Sequence, residues 1–336
     1  MQSRIKDTSM ELLIVFGMGG LIGTLIAWTS NAYVSGVQVF TELRERNSFF
    51  EISLAGSQFE LTSLIFLWIA ACLVIVIRRV FGVVRWHGPA DSIYHAQQSK
   101  EPLDIKHGIA STLTAFTSAA GGGSVGQYGP LVHFGATLGI AVKRFVSSRL
   151  PHEVYLGCGV AAAISAGFGA PIAGIVFAHE AILRHFSVRA IAPISIASVT
   201  ASAVSQSFFN TSATFNISTS APDLVSVIPV LIIASPIIAI AAIVYMEALR
   251  RSVAIAKHTG WSAERLVITA ATICGLVGIW IPEILGLGIG TINAMLDGVY
   301  QLPALILLLI TKIAMTALCI GFGLFGGVFS PALFVG

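Results

Sequence analysis

The 36 residues from 107 to 142, HGIASTLTAFTSAAGGGSVGQYGPLVHFGATLGIAV, carry no formal charge. They are too many for one helical crossing of about 30 Å of hydrocarbon, which takes about 20 residues. They are also interrupted, first by Gly121, Gly122 and Gly123 and then by Gly129 and Pro130. Glycine runs and Gly-Pro pairs end helices, so the stretch reads as two helices broken near the middle of a membrane. Irregular backbone at that depth is tolerated only where it is buried in protein or lines a cavity, because each unpaired N–H or C=O in lipid costs several kcal/mol.

The pattern recurs on either side. The charge-free block 154–179 is interrupted by Gly167, Gly169 and Pro171, and the block 313–336 by Gly321, Gly323, Gly326, Gly327 and Pro331. Stretches 12–41, 190–222 and 224–246 are also free of formal charge and long enough to span. Only 10% of the 336 residues are charged and 55% are hydrophobic, which excludes an ordinary soluble domain. The chain reads as an all-α polytopic membrane protein with tilted and broken helices, in which 12–41 and 61–77 are ordinary spans joined by a polar loop containing Arg44, Glu45, Arg46 and Glu51. A net charge of +3 is too small to argue for a nucleic-acid partner. The basic groups around Arg78 and Arg85, Lys143 and Arg149, Arg184 and Arg189, and Arg250 and Lys257 place those connections in the cytoplasm. Cys72, Cys158, Cys274 and Cys319 form no CxxC pair and read as small buried apolar residues, with no metal site or cofactor implied.

A single glycine in such a chain more often serves close helix packing than a site. Three Gly and Pro clusters point further, to permeation. A helix that starts within the membrane presents unpaired N–H groups and the positive end of its dipole, which attract an anion reversibly without a buried Lys or Arg. Gly126-Gln127-Tyr128-Gly129-Pro130 and Gly326-Gly327-Val328-Phe329-Ser330-Pro331 suggest a repeat, with residues 1–220 as a first transmembrane half and 221–336 as a partial second half. The chain reaches Gly336 inside an apolar run, so the second half reads as incomplete.

On these motifs the sequence resembles the chloride channel (CLC) family of anion channels and anion/proton exchangers. The stretch from Gly126 to His133 is similar to the family's Gly-Lys/Arg-Glu-Gly-Pro element, and Gly326–Pro331 to its Gly-x-Phe-x-Pro element. Between them, Ala161-Ala162-Ala163, Phe168–Gly174 and Phe177-Ala178-His179-Glu180 resemble its Ala-rich, Ala-Pro-x-Ala-Gly, Phe-x-x-Glu segment. The resemblance covers about residues 10–336. It implies the CLC inverted-repeat fold, a homodimer, and an anion site at the membrane midplane that includes Gly126, Gln127, Tyr128, Gly129, Pro130, Val328 and Phe329. A family serine belongs near Ala90-Asp91-Ser92-Ile93. One register gives Asp91 and the next gives Ser92, and Ser92 is the better hydroxyl donor because a carboxylate repels an anion. Asp91 is otherwise a helix cap.

The resemblance also marks what is missing. The family's gating glutamate falls at Tyr128, whose phenol stays neutral near pH 7 and cannot carry the glutamate's proton. The side chain either donates a hydrogen bond to an anion or simply packs. The proton glutamate of exchanging relatives falls at Ala181, with Glu180 as a structural carboxylate; a shift of one residue reverses that pair. These replacements imply passive or proton-uncoupled transport of a chloride-like anion in the plasma (inner) membrane. The alternatives are an anion/proton antiporter using His133, His179 or Glu180, and a non-conducting membrane protein. An intramembrane zinc enzyme is disfavoured, because the fifth residue of His179-Glu180-Ala181-Ile182-Leu183 is not a histidine.

Overall fold

A computed structural model describes residues 2–54, 57–98, 103–146, 150–209 and 224–336. The described residues form thirteen α-helices, one short hairpin, a π-helical turn and a 3-10 turn. The helices are α1 Gln2–Arg46, α2 Thr62–Phe81, α3 Pro89–Gln98, α4 Ile105–Ala120, α5 Tyr128–Lys143, α6 His152–Phe168 and α7 Pro171–Phe177, followed by α8 Val188–Phe209, α9 Leu224–His258, α10 Ala263–Trp280, α11 Ile289–Leu296, α12 Leu302–Gly321 and α13 Phe329–Val335. Six are long and apolar enough to cross a membrane: α1, α2, α8, α9, α10 and α12. The chain is thus an all-α, multi-pass integral membrane protein.

All three interruptions fall at the Gly and Pro clusters. Between α4 and α5 the chain is non-helical over 121–127. Gly169 ends α6 in the left-handed conformation (φ 66°), and Pro171 starts α7 at a position where its missing N–H costs nothing. Between α12 and α13 the turn passes through Gly323 at φ 102°. Beyond α7 the helix widens into the π-helical turn Ala178–Leu183, closed by Arg184 at φ 56°.

One reading is corrected. The polar connection after the first span is not a plain loop: Arg44, Glu45 and Arg46 belong to the last turn of α1, and β1 Glu51–Leu54 pairs antiparallel with β2 Ser57–Glu60, Glu51 opposite Glu60. A second concerns the cysteines: Cys158, Cys274 and Cys319 are buried, but Cys72 is exposed.

The chain divides into two compact units built from interleaved segments. The first holds Met1–Gly36, Phe81–Leu113 and Tyr128–Ala213. Small residues bring its helices into close contact. Gly135 on α5 and Gly159 on α6 face each other so closely that a Cβ on either would overlap the other's carbonyl oxygen. Along α1, Gly19 and Gly23 meet Pro193, Ile196 and Ala197 of α8, and Asn31 Nδ2 donates to Ser205 Oγ at 2.8 Å. In lipid the hydrophobic effect does not drive helices together, so such contacts supply the association through dispersion and internal hydrogen bonds.

The second unit holds Val37–Val80, Thr114–Gln127 and Thr214–Gly336. There α2 and α10 touch at Leu64 and Gly275, and Trp68 Nε1 donates to Thr272 Oγ1 at 3.0 Å. Helices α9 and α12 meet where Gly321 lies against Ser252. Two apolar helices of this unit, α9 and α12, expose Ile232, Ile233, Ile237, Leu302, Ile306 and Ile310.

Replacing Gly159 by Ala should lower stability by about 1–3 kcal/mol, the range for overpacking a filled interior. Gly20→Ala is the control, because nothing lies within 4 Å of a Cβ there. Thermal unfolding of the detergent-purified variants measures the difference, and equal melting temperatures would contradict the packing described.

Candidate functional site

In the second unit the two Gly-rich elements that the sequence paired are bonded to each other. Gly126 N donates to Gly327 O, and Gly327 N donates to Gly126 O, each at 2.6 Å. No side chain fits between them: a Cβ on Gly126 would lie 2.8 Å from Gly327 O and 3.1 Å from Pro331 Cδ, and one on Gly326 would lie 2.5 Å from Val125 Cβ. Two more links tie the same turns. Ser124 Oγ and Thr316 Oγ1 are 3.0 Å apart, and Gly286 N donates to Gly122 O at 2.9 Å. Helix α5 then begins at Tyr128 and α13 at Phe329, each two residues beyond its bridging glycine.

Val328 and Phe329 are exposed, and Val328 O accepts a hydrogen bond from Tyr245 Oη at 3.0 Å. Gln127 is buried, with its side-chain oxygen unpartnered among the described residues. The Ser330 hydroxyl is likewise buried and unpartnered among them.

The sequence reading missed the cations of this unit. Lys312 on α12 is fully buried, donates to Ile284 O at 2.9 Å and Gly286 O at 3.0 Å, and lies 5.0 Å from the centre of the Phe334 ring. Arg44 is 2% exposed, bonds Glu45 at 3.0 Å and lies against Gly122 and Gly286. A site free of buried Lys or Arg was expected, and this unit holds both. The available signal was Lys312 itself, a lone charge within an apolar run, which in a membrane segment marks function or an internal partner.

In the first unit, Tyr128 is 5% exposed and stacks on Phe168, ring centres 3.8 Å apart and 29° between planes. Gly167 lies beneath the same ring. The gate-position side chain is thus packed on the end of α6. Gly129, half-buried, and Pro130, buried, follow it in the first turn of α5.

Ser92 is fully buried in the opening turn of α3, and its Oγ is 2.8 Å from Nδ1 of His133 on α5. Asp91 is occupied elsewhere. Its carboxylate accepts the Gly88 N–H at 2.8 Å, closing the start of α3 as an acidic residue of a first turn does, and pairs with the Arg85 guanidinium. Partial burial works against its charge, but the Arg85 and Gly88 hydrogen bonds outweigh that and hold the carboxyl below its usual range. A cavity of about 200 Å³ lined by Val84, Arg85, His87 and His107 adjoins this region. The His87 ring stacks on His107 at 5.3 Å and meets His133 edge-on at 6.1 Å. Burial lowers the His87 pKa, so this ring is neutral near pH 7.

The π-helical turn carries the remaining positions. Ala181 is half-buried, His179 is buried with its ring stacked on Phe186 at 5.1 Å, and both its nitrogens lack partners among the described residues. Glu180, expected as a structural carboxylate, is exposed and has no hydrogen bond or ion pair among the described residues.

A sequence profile of the family described as voltage gated chloride channel matches residues 66–336. The chain belongs to this family. It is 28% identical over 241 residues to a "Putative chloride channel protein ClcB-like" of Ralstonia nicotianae, a match that covers 70% of this chain and 56% of that protein. It is 24% identical over 351 residues to the "H(+)/Cl(-) exchange transporter ClcA" of Vibrio parahaemolyticus, covering 98% of this chain and 72% of the transporter. Among solved structures, that of a CLC-type fluoride/proton antiporter superposes with a TM-score of 0.79 at 22% identity, over 97% of this chain and 80% of that one. A slow cyanobacterial Cl-/H+ antiporter gives 0.78 at 17% identity, over 96% and 77%. The fold of this voltage-gated chloride channel family member is therefore the CLC membrane fold.

Asp91→Asn should reduce stability by about 0.3–1 kcal/mol, the worth of a carboxylate charge in the first turn of a helix, since the amide oxygen can still accept the Gly88 N–H. A carboxyl whose folded pKa is depressed stabilises above its unfolded pKa and loses that contribution as the pH falls through the folded value. The gap between the two proteins should therefore be constant near neutral pH and close as the pH falls below about 4. Melting curves over a pH series test this; a gap that persists in acid would contradict the assignment.

Proposed function

We propose that this protein carries small inorganic anions, chloride foremost, across the plasma (inner) membrane without coupling them to protons. The observation that carries the reading is Tyr128. The side chain at the family's gate position is a buried phenol stacked on Phe168, and a phenol is neither charged nor titrated near neutral pH. Ala181 at the proton-glutamate position supports the same reading, since a methyl group relays no proton. In this reading the anion-binding groups are the helix start at Tyr128-Gly129-Pro130 and the Ser92 hydroxyl in the first unit, and Gly126, Gln127, Val328 and Phe329 in the second. Asp91, tied to Arg85 and Gly88, leaves Ser92 as the donor on α3. The protein works as a homodimer, is not an enzyme and needs no cofactor.

A specific observation favours a second reading, exchange with a different proton carrier. The imidazoles of His107, His87 and His133 lie in succession at 5.3 and 6.1 Å and end on Ser92. Neutral imidazoles pass protons near pH 7.

Purified protein reconstituted in liposomes separates the two. Under a chloride gradient, chloride efflux with no sustained uphill proton movement is expected, and proton pumping at a fixed ratio to chloride would overturn the uncoupled reading. Tyr128→Glu should make chloride flux rise as the pH falls, because a carboxylate in the anion path repels the anion until protonated. A pH-independent flux in that variant would place residue 128 off the path.

A further inference from the structure

The bond between Ser92 and His133 decides what the serine can offer. Both side chains are fully buried in the first unit, and Ser92 Oγ lies 2.8 Å from His133 Nδ1. A serine hydroxyl has one proton and two acceptor lone pairs. If Nδ1 is bare, the hydroxyl proton is spent on the ring and Ser92 turns only lone pairs outward, which repel an anion. If Nδ1 carries the proton, the ring donates to Oγ and the hydroxyl proton is left over.

The other ring nitrogen selects between these states. Nε2 of His133 is buried with no partner among the described residues. An N–H without an acceptor is a rarer and costlier orphan than a lone pair without a donor, so the proton belongs on Nδ1. An imidazolium would bury both an orphan N–H and a charge. The charged and titratable groups around the ring are Asp91, Arg85, His87 and His95. Of these, Asp91 is bonded to Arg85 and to the Gly88 N–H, and His87 meets the ring edge-on at 6.1 Å between centres.

We propose that His133 is a positioning residue: held with its proton on Nδ1, it donates to Ser92 Oγ and so leaves the single Ser92 hydroxyl proton for the transported anion. The part that concerns the anion rests on the transport reading above, whereas the tautomer does not.

Two measurements keep these apart. Solid-state 15N spectra of ring-labelled histidine in the bilayer-embedded protein, with His133→Asn assigning the signals, should show Nδ1 protonated and Nε2 bare at neutral pH. A protonated Nε2, alone or with Nδ1, overturns the proposal even if the protein transports nothing. In chloride-loaded liposomes, Ser92→Ala and His133→Phe should each slow flux by about tenfold, the effect of one hydrogen bond to a charged group. The double variant should be no slower than either single one, because without the ring N–H the Ser92 hydroxyl is no longer held turned toward the anion, and without the hydroxyl the ring has nothing to orient. His133→Asn, whose amide N–H can stand near the Nδ1 position, should recover most of the flux. Equal loss in the Phe and Asn variants, or multiplying losses in the double variant, would overturn the proposal. Should His133→Phe fail to fold, the comparison of Ser92→Ala with His133→Asn and the 15N spectra decide.

Discussion

The reciprocal hydrogen bonds between Gly126 and Gly327 are the constraint on which two of the three helix interruptions of this protein depend. Stopping a helix within a membrane strands several N–H and C=O groups in a medium that offers no water to satisfy them. Here two stopped segments satisfy one another: each glycine gives the other both a donor and an acceptor. The arrangement needs bare backbone, since a Cβ on Gly126 would press into Gly327 O and Pro331. The pairing of Ser124 with Thr316 and the bond from Gly286 to Gly122 extend the same solution along the turn. Glycine abundance in this chain is therefore not only a packing device. At these positions it is what allows α4 and α12 to end where they do.

Buried cations enter through the same turns. Lys312 is held by two carbonyls, Ile284 O and Gly286 O, and Gly286 in turn donates its N–H to Gly122. Arg44 packs against the bare faces of Gly122 and Gly286. The two carbonyls and the face of Phe334 are what the Lys312 side chain gains in exchange for water. Lys312 and Arg44 thus tie the turns around Gly122 and Gly286 together by side-chain contacts that the helix termini alone would not supply.

How much of this the sequence carried depends on the scale of the pattern. The breaks at 121–127, at Gly169 and at 321–328 were legible because Gly and Pro act on their own backbone, and charge-free length needs no partner to be recognised. Ser92 was separable from Asp91 by charge alone, and the structure adds the reason Asp91 is occupied: the third residue of α3 reaches back to the Gly88 N–H and across to Arg85. Lys312 stands out as a lone charge in an apolar run, but what holds it was not legible. Its partners, Ile284 and Gly286, lie more than twenty residues away in the chain. The hairpin of residues 51–60 was missed because short alternating segments between spans look like polar linker until their register is known. The Ser92–His133 bond was invisible for the same reason as Lys312, since 41 residues separate its partners.

On the proposed reading, Tyr128 and its surroundings act together. A carboxylate in an anion path is bistable by nature: it competes with the anion when charged and yields when protonated, so its position follows pH. A phenol has no such second state near neutrality. In this chain the ring is also held by its neighbours, with Phe168 stacked at 3.8 Å and Gly167 presenting a bare face to it. Displacing it would forfeit an aromatic pair worth about 0.5–1.5 kcal/mol beyond its buried area and expose the end of α6. If residue 128 is the gate, as proposed, a side chain that neither titrates nor moves cheaply makes the resting geometry the working geometry. On the proposed reading, what then sets passage is the fixed set of neutral donors, the backbone N–H groups and the Ser92 hydroxyl, so anion choice becomes a matter of how those donors are aimed.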